Sequence, residues 1–422
     1  MHFFTYKQNE LYCEDVPLKD ISERFGTPVY VYSAKTLKRH YAVFDSSFGE
    51  IPHLVCYSVK ANSNLAILSL LKTFGSGADV VSGGELQKAL KAGISPKKIV
   101  FSGVGKTDEE IERAVKKKIL LINVESESEL NRLREIAHRS KKQTNVSIRV
   151  NPDIDPKTHP YITTGLRKNK FGLAISDAER LYLTIKDDKY LKPVGVSSHI
   201  GSQILEISPF LEALVSLMNL GERLRNSGVD IKYLDIGGGL GIPYKDEIPP
   251  HPEEYGREIQ ALLKGKDYTL ILEPGRVIVG NSGVLLTRII YVKRTKDKTF
   301  YIVDAAMNDL LRPAFYNAHH EILPVSSKGS EQIKVDVVGP ICESSDFFAK
   351  DRLIPNQNEG DLLAIMSAGA YGFSMSSNYN ERRRPAEVLV SGKDAYLIRK
   401  RETFRDLVKN EIVPGVLKEG IL

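Results

Sequence analysis

The sequence predicts a (β/α)8 TIM barrel followed by a second, C-terminal antiparallel β-barrel domain, an α/β plus β architecture. Short apolar runs alternate with amphipathic stretches from Ser33 to Glu273, and the alternation stops after Arg276. The alternating part spans about 240 residues, close to the ~250 typical of such a barrel. The whole chain, at 422 residues, exceeds the usual size of a single hydrophobic core.

The candidate barrel strands are 54–59, 78–81, 98–102, 119–124, 146–150, 194–199, 233–236 and 269–272. Helical patterns at 65–74, 84–92, 108–117, 126–139, 177–186, 209–226 and 252–263 separate them, and 34–44 precedes the first strand. Alternation alone does not prove closure, so a doubly wound open sheet is the competing arrangement. Beyond Arg276, the runs 284–292, 299–303, 333–338 and 361–366 are β-branched or aliphatic and are divided by turn residues, as an antiparallel sheet requires. The opening stretch ends in Thr27-Pro-Val-Tyr-Val-Tyr32 and is also β-like. The predicted division is 1–32 as a segment joining the β domain, 33–276 as the barrel and 277–422 as the β domain.

Composition narrows the classes of function. Hydrophobic residues make up 42% and charged residues 27%, with a formal charge of +6, the values of an ordinary globular protein. Lys116-Lys117-Lys118, Lys141-Lys142 and Arg382-Arg383-Arg384 are short and carry no interleaved aromatics, so they read as solvated surface and nucleic-acid binding is not expected. Cys13, Cys56 and Cys342 are odd in number and far apart, which argues against a disulfide scaffold and for a reducing compartment. No run is long and apolar enough to span a bilayer and no signal peptide opens the chain, so a cytoplasmic location without membrane association is expected. His319-His320 has no third ligand at useful spacing, and no metal site is expected.

Barrels of this type carry their chemistry at the C-terminal ends of the strands. Those ends hold Lys60, Asp79, Arg149, His199, Gly237-Gly238-Gly239-Leu240-Gly241 and Glu273-Pro274-Gly275-Arg276. An amine at the rim of a packed interior is desolvated, its pKa falls, and it becomes fit to condense with carbonyls. A lone strand-end lysine is more often surface charge, so the argument rests on its neighbours. The glycine run follows the seventh strand, where barrels bind phosphate, and successive glycines let backbone N–H groups converge on an anion. It lacks the Lys-Ser/Thr of a nucleotide P-loop and the G-x-G-x-x-G spacing. Taken singly, the glycines read as a turn, His199 as a buried histidine, and Glu273 as an internal partner of Arg276.

Together with Tyr57-Ser-Val-Lys-Ala-Asn62, Asn169-Lys-Phe-Gly172, His199-Ile-Gly-Ser202, Arg312-Pro-Ala-Phe-Tyr316, Gly339-Pro-Ile-Cys-Glu-Ser344 and Ala370-Tyr-Gly372, these segments resemble the fold-type III pyridoxal-phosphate decarboxylases, most closely the branch acting on diaminopimelate. The motifs run in family order over nearly the whole chain. Asn169 stands where the family usually has serine, and Glu381-Arg-Arg-Arg-Pro385 replaces a more proline-rich segment.

The resemblance implies decarboxylation of meso-2,6-diaminopimelate to L-lysine and CO2, the last step of lysine biosynthesis, with pyridoxal 5'-phosphate as cofactor. It implies that Lys60 carries the cofactor, that Asp79 lies beside it, and that His199 stacks on the pyridine ring. Ser202, Gly237, Gly238, Gly239 and the backbone around Gly275 and Arg276 are implied to hold the phosphate, Glu273 to face the ring nitrogen, and Tyr371 to reach phosphate or substrate. Arg276, Arg312 and Tyr316 are implied to grip the distal carboxylate, a task suited to a bidentate guanidinium. Glu343 is implied to meet the distal ammonium. Cys342 is implied to donate a proton in the neighbouring subunit's site, which makes the expected assembly a homodimer with shared active sites.

Without the motif Cys342 would read as a buried small hydrophobe, as Cys56 does, and Arg312 and Tyr316 as packing between domains. The competing functions are an ornithine/arginine-type decarboxylase, a racemase and a non-enzymatic cofactor carrier. Segment 151–166 is the candidate lid.

Overall fold

The computed structural model describes residues 2–155, 164, 170–327, 329 and 331–418. It divides into two compact units, the first formed by Met1–His2, Ala34–Ser282 and Gly369–Ser374, the second by Phe3–Ser33, Gly283–Ala368 and Met375–Leu422.

The first unit is a closed parallel barrel. Its strands in chain order are His53–Ser58, Gly77–Val80, Ile99–Phe101, Leu121–Val124, Thr144–Arg149, Leu191–Ser197, Tyr233–Asp235 and Thr269–Leu272. Each pairs in parallel with the next, and Leu270–Leu272 closes the ring against His53–Val55, which disposes of the open sheet. The strands are shorter than the apolar runs at several ends. Ser58 takes the last ladder position, opposite Asp79, and Val59–Ala61 then turns as a 3-10 helix, so Lys60 stands just past its strand. Likewise the sixth strand stops at Ser197 and His199 lies in the following loop.

Local signals fix the helices. Thr107 and Glu110 form a reciprocal capping box at the start of Asp108–Lys117, which buries Ile111, Ala114 and Val115; such a cap stabilises a helix by ~1 kcal/mol. Cys56, Val100, Leu121 and Ile271 belong to one buried cluster, confirming Cys56 as core.

The second unit holds a mixed, mostly antiparallel nine-stranded sheet and a small three-stranded one formed by Phe4–Lys7, Glu10–Cys13 and Val16–Pro17. The long strand Gly283–Arg294 organises the larger sheet: residues 283–288 pair with Val29–Ser33 and Leu362–Ile365, and residues 289–294 with Thr299–Val303. Two pairings depart from the antiparallel expectation. Val29–Ser33 runs parallel to Ala386–Ser391, and Thr299–Val303 parallel to Gln332–Val338. Val29, Val31, Val284, Leu286, Val388 and Val390 form the core here.

The segment Gly369–Ser374, read from the sequence as β domain, belongs to the barrel unit: Tyr371 N donates to Ala61 O at 2.8 Å and Gly369 N to Gly280 O at 3.0 Å. Among the described residues no helix is long and apolar enough to cross a membrane.

Candidate active site

Lys60 Nζ donates to Asp79 Oδ2 at 2.6 Å, and the same oxygen accepts from Ser58 Oγ at 2.6 Å. Asp79 is fully buried. Burial pulls the amine's pKa down, but the charges of Asp79 and Glu273 outweigh it and the net shift is upward. The expectation of a lowered pKa therefore fails in the protein alone, because desolvation is answered by two carboxylates rather than by an apolar wall.

Glu273 is buried, with Ser102 Oγ donating to its Oε1 at 3.3 Å. Burial first, then the neighbouring Asp235 and Asp79, drives its pKa well above the carboxylate range. Asp235, whose own pKa burial raises to about 6, accepts from Gly237 N at 2.9 Å and from Asn123 Nδ2 at 2.8 Å, and these bonds hold it below Glu273, the more strongly shifted of the two. A carboxyl so shifted can exchange a proton with a ring nitrogen.

His199 Nδ1 accepts the Gly238 backbone N–H at 3.3 Å. Burial, reinforced by the Arg149 and Lys60 cations, pushes the imidazole well below its usual pKa. The ring is neutral, as a flat stacking surface needs to be. Arg149 is pinned by Glu125 Oε1 at 3.0 Å, donates to the His199 carbonyl at 3.2 Å, and lies 4.8 Å from the Phe171 ring centroid.

The glycine loop admits no side chain. A Cβ on Gly238 would stand 2.1 Å from Glu273 O, and one on Gly237 would stand 2.6 Å from His199 Nδ1. Gly237 also has φ +66°, in the left-handed region. Gly239 and Gly275 complete the glycines named from the sequence; a Cβ on Gly275 would press on Ser58 and Ala61 at 3.0 Å. Arg276 donates to Ser202 Oγ at 3.1 Å and to Tyr244 OH at 2.6 Å, with its guanidinium 4.9 Å from the Tyr371 ring centroid.

Lys60, Ser102, Asn123, His199, Asp235 and Glu273 line a cavity of about 390 Å³. Ser197 Oγ, Ser198 Oγ and Asn123 Oδ1 at its wall are buried with no hydrogen-bond partner among the described residues. An amine, a neutral imidazole, a carboxyl of raised pKa, a side-chain-free backbone loop and unsatisfied buried polar atoms together fit pyridoxal phosphate.

The other candidates lie in the second unit. Arg312 opens the short helix Arg312–Tyr316, is buried, and donates from Nη1 to His320 Nε2 at 2.9 Å; the Tyr316 ring packs on Phe315 with centroids 4.8 Å apart. Cys342 is exposed, not buried as an isolated reading of Val337-Val-Gly-Pro-Ile341 suggested, and its N–H donates to Asn380 Oδ1 at 3.0 Å. Glu343 accepts from the Ser345 hydroxyl, and that bond and one from Tyr379 lower its pKa. Most of the candidate lid 151–166, and Asn169, lie outside the described residues.

Sequence reasoning named Arg149, and Asp235 at the head of the glycine-run motif Asp235-Ile-Gly-Gly-Gly-Leu-Gly241, but gave neither a role, and it passed over Ser102, Asn123, Glu125 and Tyr244. The available signal was a single polar residue interrupting an otherwise apolar barrel run, as in Leu121-Ile-Asn-Val124 and Tyr233-Leu-Asp-Ile236.

The pyridoxal-binding domain of the pyridoxal-dependent decarboxylases matches residues 34–280. Diaminopimelate decarboxylase of Pseudomonas aeruginosa is 51% identical over 411 residues, 97% of this chain and 99% of the relative. That of Vibrio cholerae is 50% identical over 409 residues, 96% and 98% of the two chains. The crystal structure of diaminopimelate decarboxylase from Helicobacter pylori complexed with L-lysine aligns with a TM-score of 0.90 at 45% identity, covering 96% of this chain and 100% of that one.

The match over residues 34–280, on a closed parallel barrel, places the chain among the pyridoxal-dependent decarboxylases of fold type III. Within that class, the chain belongs to the diaminopimelate decarboxylase family. It is a carboxy-lyase, which sets aside the racemase and carrier readings.

Proposed function

We propose that the chain removes one carboxylate of meso-2,6-diaminopimelate, giving L-lysine and CO2. Near-50% identity, end to end, with relatives named for that substrate carries this reading, and the Helicobacter pylori relative was crystallised with L-lysine. The residues derived above fit the chemistry. Lys60, oriented by Asp79, is the amine that would tether the cofactor aldehyde. His199 offers its neutral face to the ring, and Glu273 meets the ring nitrogen. Gly237, Gly238, Gly239, Ser202, Gly275, Arg276 and Tyr371 hold the phosphate, with Tyr244 keeping Arg276 in place.

When bound there, pyridoxal phosphate supplies the electron sink that takes up the pair left by the departing CO2. The protein's remaining task is to return one proton to the carbon that lost CO2, and Cys342 is the donor in this reading. Arg276, Arg312 and Tyr316 grip the distal carboxylate, and Glu343 meets the distal ammonium. A carboxylate-gripping arginine has no partner on ornithine, which separates the two substrate classes. The working form in this proposal is a cytoplasmic homodimer whose active sites are shared between subunits.

The test couples two measurements on the purified protein. Borohydride reduction followed by peptide mass mapping should place the cofactor on Lys60, and CO2 release should be at least a hundred-fold faster from diaminopimelate than from ornithine or arginine, about what one unmatched buried charge costs. A label on another residue, or equal turnover of ornithine, would refute the reading.

A further inference from the structure

We propose that His320 is a positioning residue that holds the Arg312 guanidinium in the orientation that receives the substrate's distal carboxylate. The proposal rests on the reading of Arg312 given above and goes beyond it.

His320 is fully buried and both ring nitrogens are engaged. Nδ1 lies 2.8 Å from Met366 O, a carbonyl that can only accept, so Nδ1 carries the proton. Nε2 is then a lone pair, and it takes a hydrogen bond from Arg312 Nη1 at 2.9 Å. The backbone is held too, because Arg352 Nη1 donates to the His320 carbonyl at 3.0 Å. The tautomer follows from these contacts.

The choice of imidazole has a chemical consequence. An aspartate or glutamate in this place would also fix Arg312, but it would neutralise the guanidinium and compete with an incoming carboxylate. A neutral imidazole fixes the fork without itself cancelling the guanidinium's charge. Holding a long side chain in its binding geometry removes an entropic cost from ligand binding.

Cleavage at one end of diaminopimelate leaves the other end's amine and carboxylate intact, so L-lysine keeps the carboxylate that Arg312 is read to bind. Its decarboxylated counterpart, 1,5-diaminopentane, lacks it. Inhibition of the holoenzyme by these two compounds therefore isolates the grip. His320→Asn keeps the donor to Met366 O but is too short to accept from Arg312; His320→Gln places an amide oxygen near the position of Nε2.

His320→Asn should weaken L-lysine inhibition roughly ten-fold, raise KM for diaminopimelate by a similar factor with a smaller change in kcat, and leave 1,5-diaminopentane inhibition within about two-fold; His320→Gln should recover most of the loss. Equal weakening toward both compounds, or none toward lysine, would overturn the positioning role. Arg312→Met serves as the reference. If it abolishes the lysine preference while His320→Asn keeps it, only the present proposal fails. If Arg312→Met also keeps it, the distal-carboxylate reading fails first.

Discussion

Gly238 gives its backbone N–H to Nδ1 of His199, and the neighbouring Gly237 leaves no room for a methyl group against the same nitrogen. The glycine loop is thus doubly committed. It clears space for an anion, and it fixes the tautomer of the imidazole, whose remaining proton must sit on Nε2.

Gly237→Ala should damage both functions together. The added Cβ would meet His199 Nδ1 at 2.6 Å in a backbone held at φ +66°. Strain of this kind costs about 1–3 kcal/mol. Thermal unfolding should show a lowered midpoint, and titration with pyridoxal phosphate should show affinity reduced by at least ten-fold. An alanine variant with native cofactor affinity would mean that the loop does not bind the phosphate.

The depressed pKa of His199 predicts an acid-side loss of stability. Its folded value lies below its unfolded value of about 6.5. Above that pH the ring is neutral in both states and contributes no slope. As pH falls below it, the unfolded chain takes up a proton that the folded chain refuses, and stability drops by up to about 1.4 kcal/mol per pH unit until the folded pKa is reached. Urea unfolding of cofactor-free protein at several pH values between about 5.5 and 7.5, one unit either side of that value, should show the slope. His199→Gln should flatten it; an unchanged slope in that variant would assign the effect elsewhere.

How much of this was readable in advance depends on where the signal lies along the chain. The barrel strands were legible because Gly, Asn and Pro punctuate the apolar runs, as in Ala61-Asn-Ser-Asn64 and Glu273-Pro-Gly275. Lys60, His199 and the glycines sit at those punctuation marks. Asn123 and Asp235 sit inside apolar runs, and local patterning treats such residues as minor breaks. Their partnership, at 2.8 Å, joins two non-adjacent strands of the closed barrel, and no window of sequence contains both. The return of Gly369–Ser374 to the barrel unit is equally non-local: Tyr371 bonds to Ala61, 310 residues earlier in the chain. The upward shift of Lys60 required knowing that Asp79 and Glu273 converge on it, which spacing alone cannot supply.

Glu273 should show stability and activity pulling in opposite directions. Its folded pKa is raised by burial and by Asp235 and Asp79, so its stabilising contribution is complete below the unfolded value of about 4.5 and is lost as pH rises through the folded value. Glu273→Gln removes that liability without changing the shape of the side chain. At pH near 8 the cofactor-free variant should unfold at a higher temperature than the wild type, by a few degrees for each ~1 kcal/mol recovered. Its turnover should fall by at least a hundred-fold, since an amide cannot hold the ring nitrogen protonated. A variant less stable than wild type at that pH would contradict the raised pKa of Glu273.

The cysteines offer a test of the proton-donor reading that needs no substitution. Cys13 and Cys56 are buried, and burial raises both thiols well above their ordinary pKa, while Cys342 is exposed. Reactivity toward alkylating agents follows thiolate fraction and access, so brief iodoacetamide treatment of the native enzyme should label Cys342 first. If Cys342 delivers the proton that completes each turnover, one label per chain should abolish CO2 release while the bound cofactor keeps its visible absorbance. Substrate should slow the labelling. Full turnover in the labelled enzyme would remove Cys342 from the reaction and leave the decarboxylase assignment standing on Lys60 and the glycine loop. The same labelled protein also probes assembly, because mixing it with Lys60→Ala protein should restore part of the activity if each site takes its lysine from one subunit and its thiol from the other; no restoration after subunit exchange would argue that the sites are not shared.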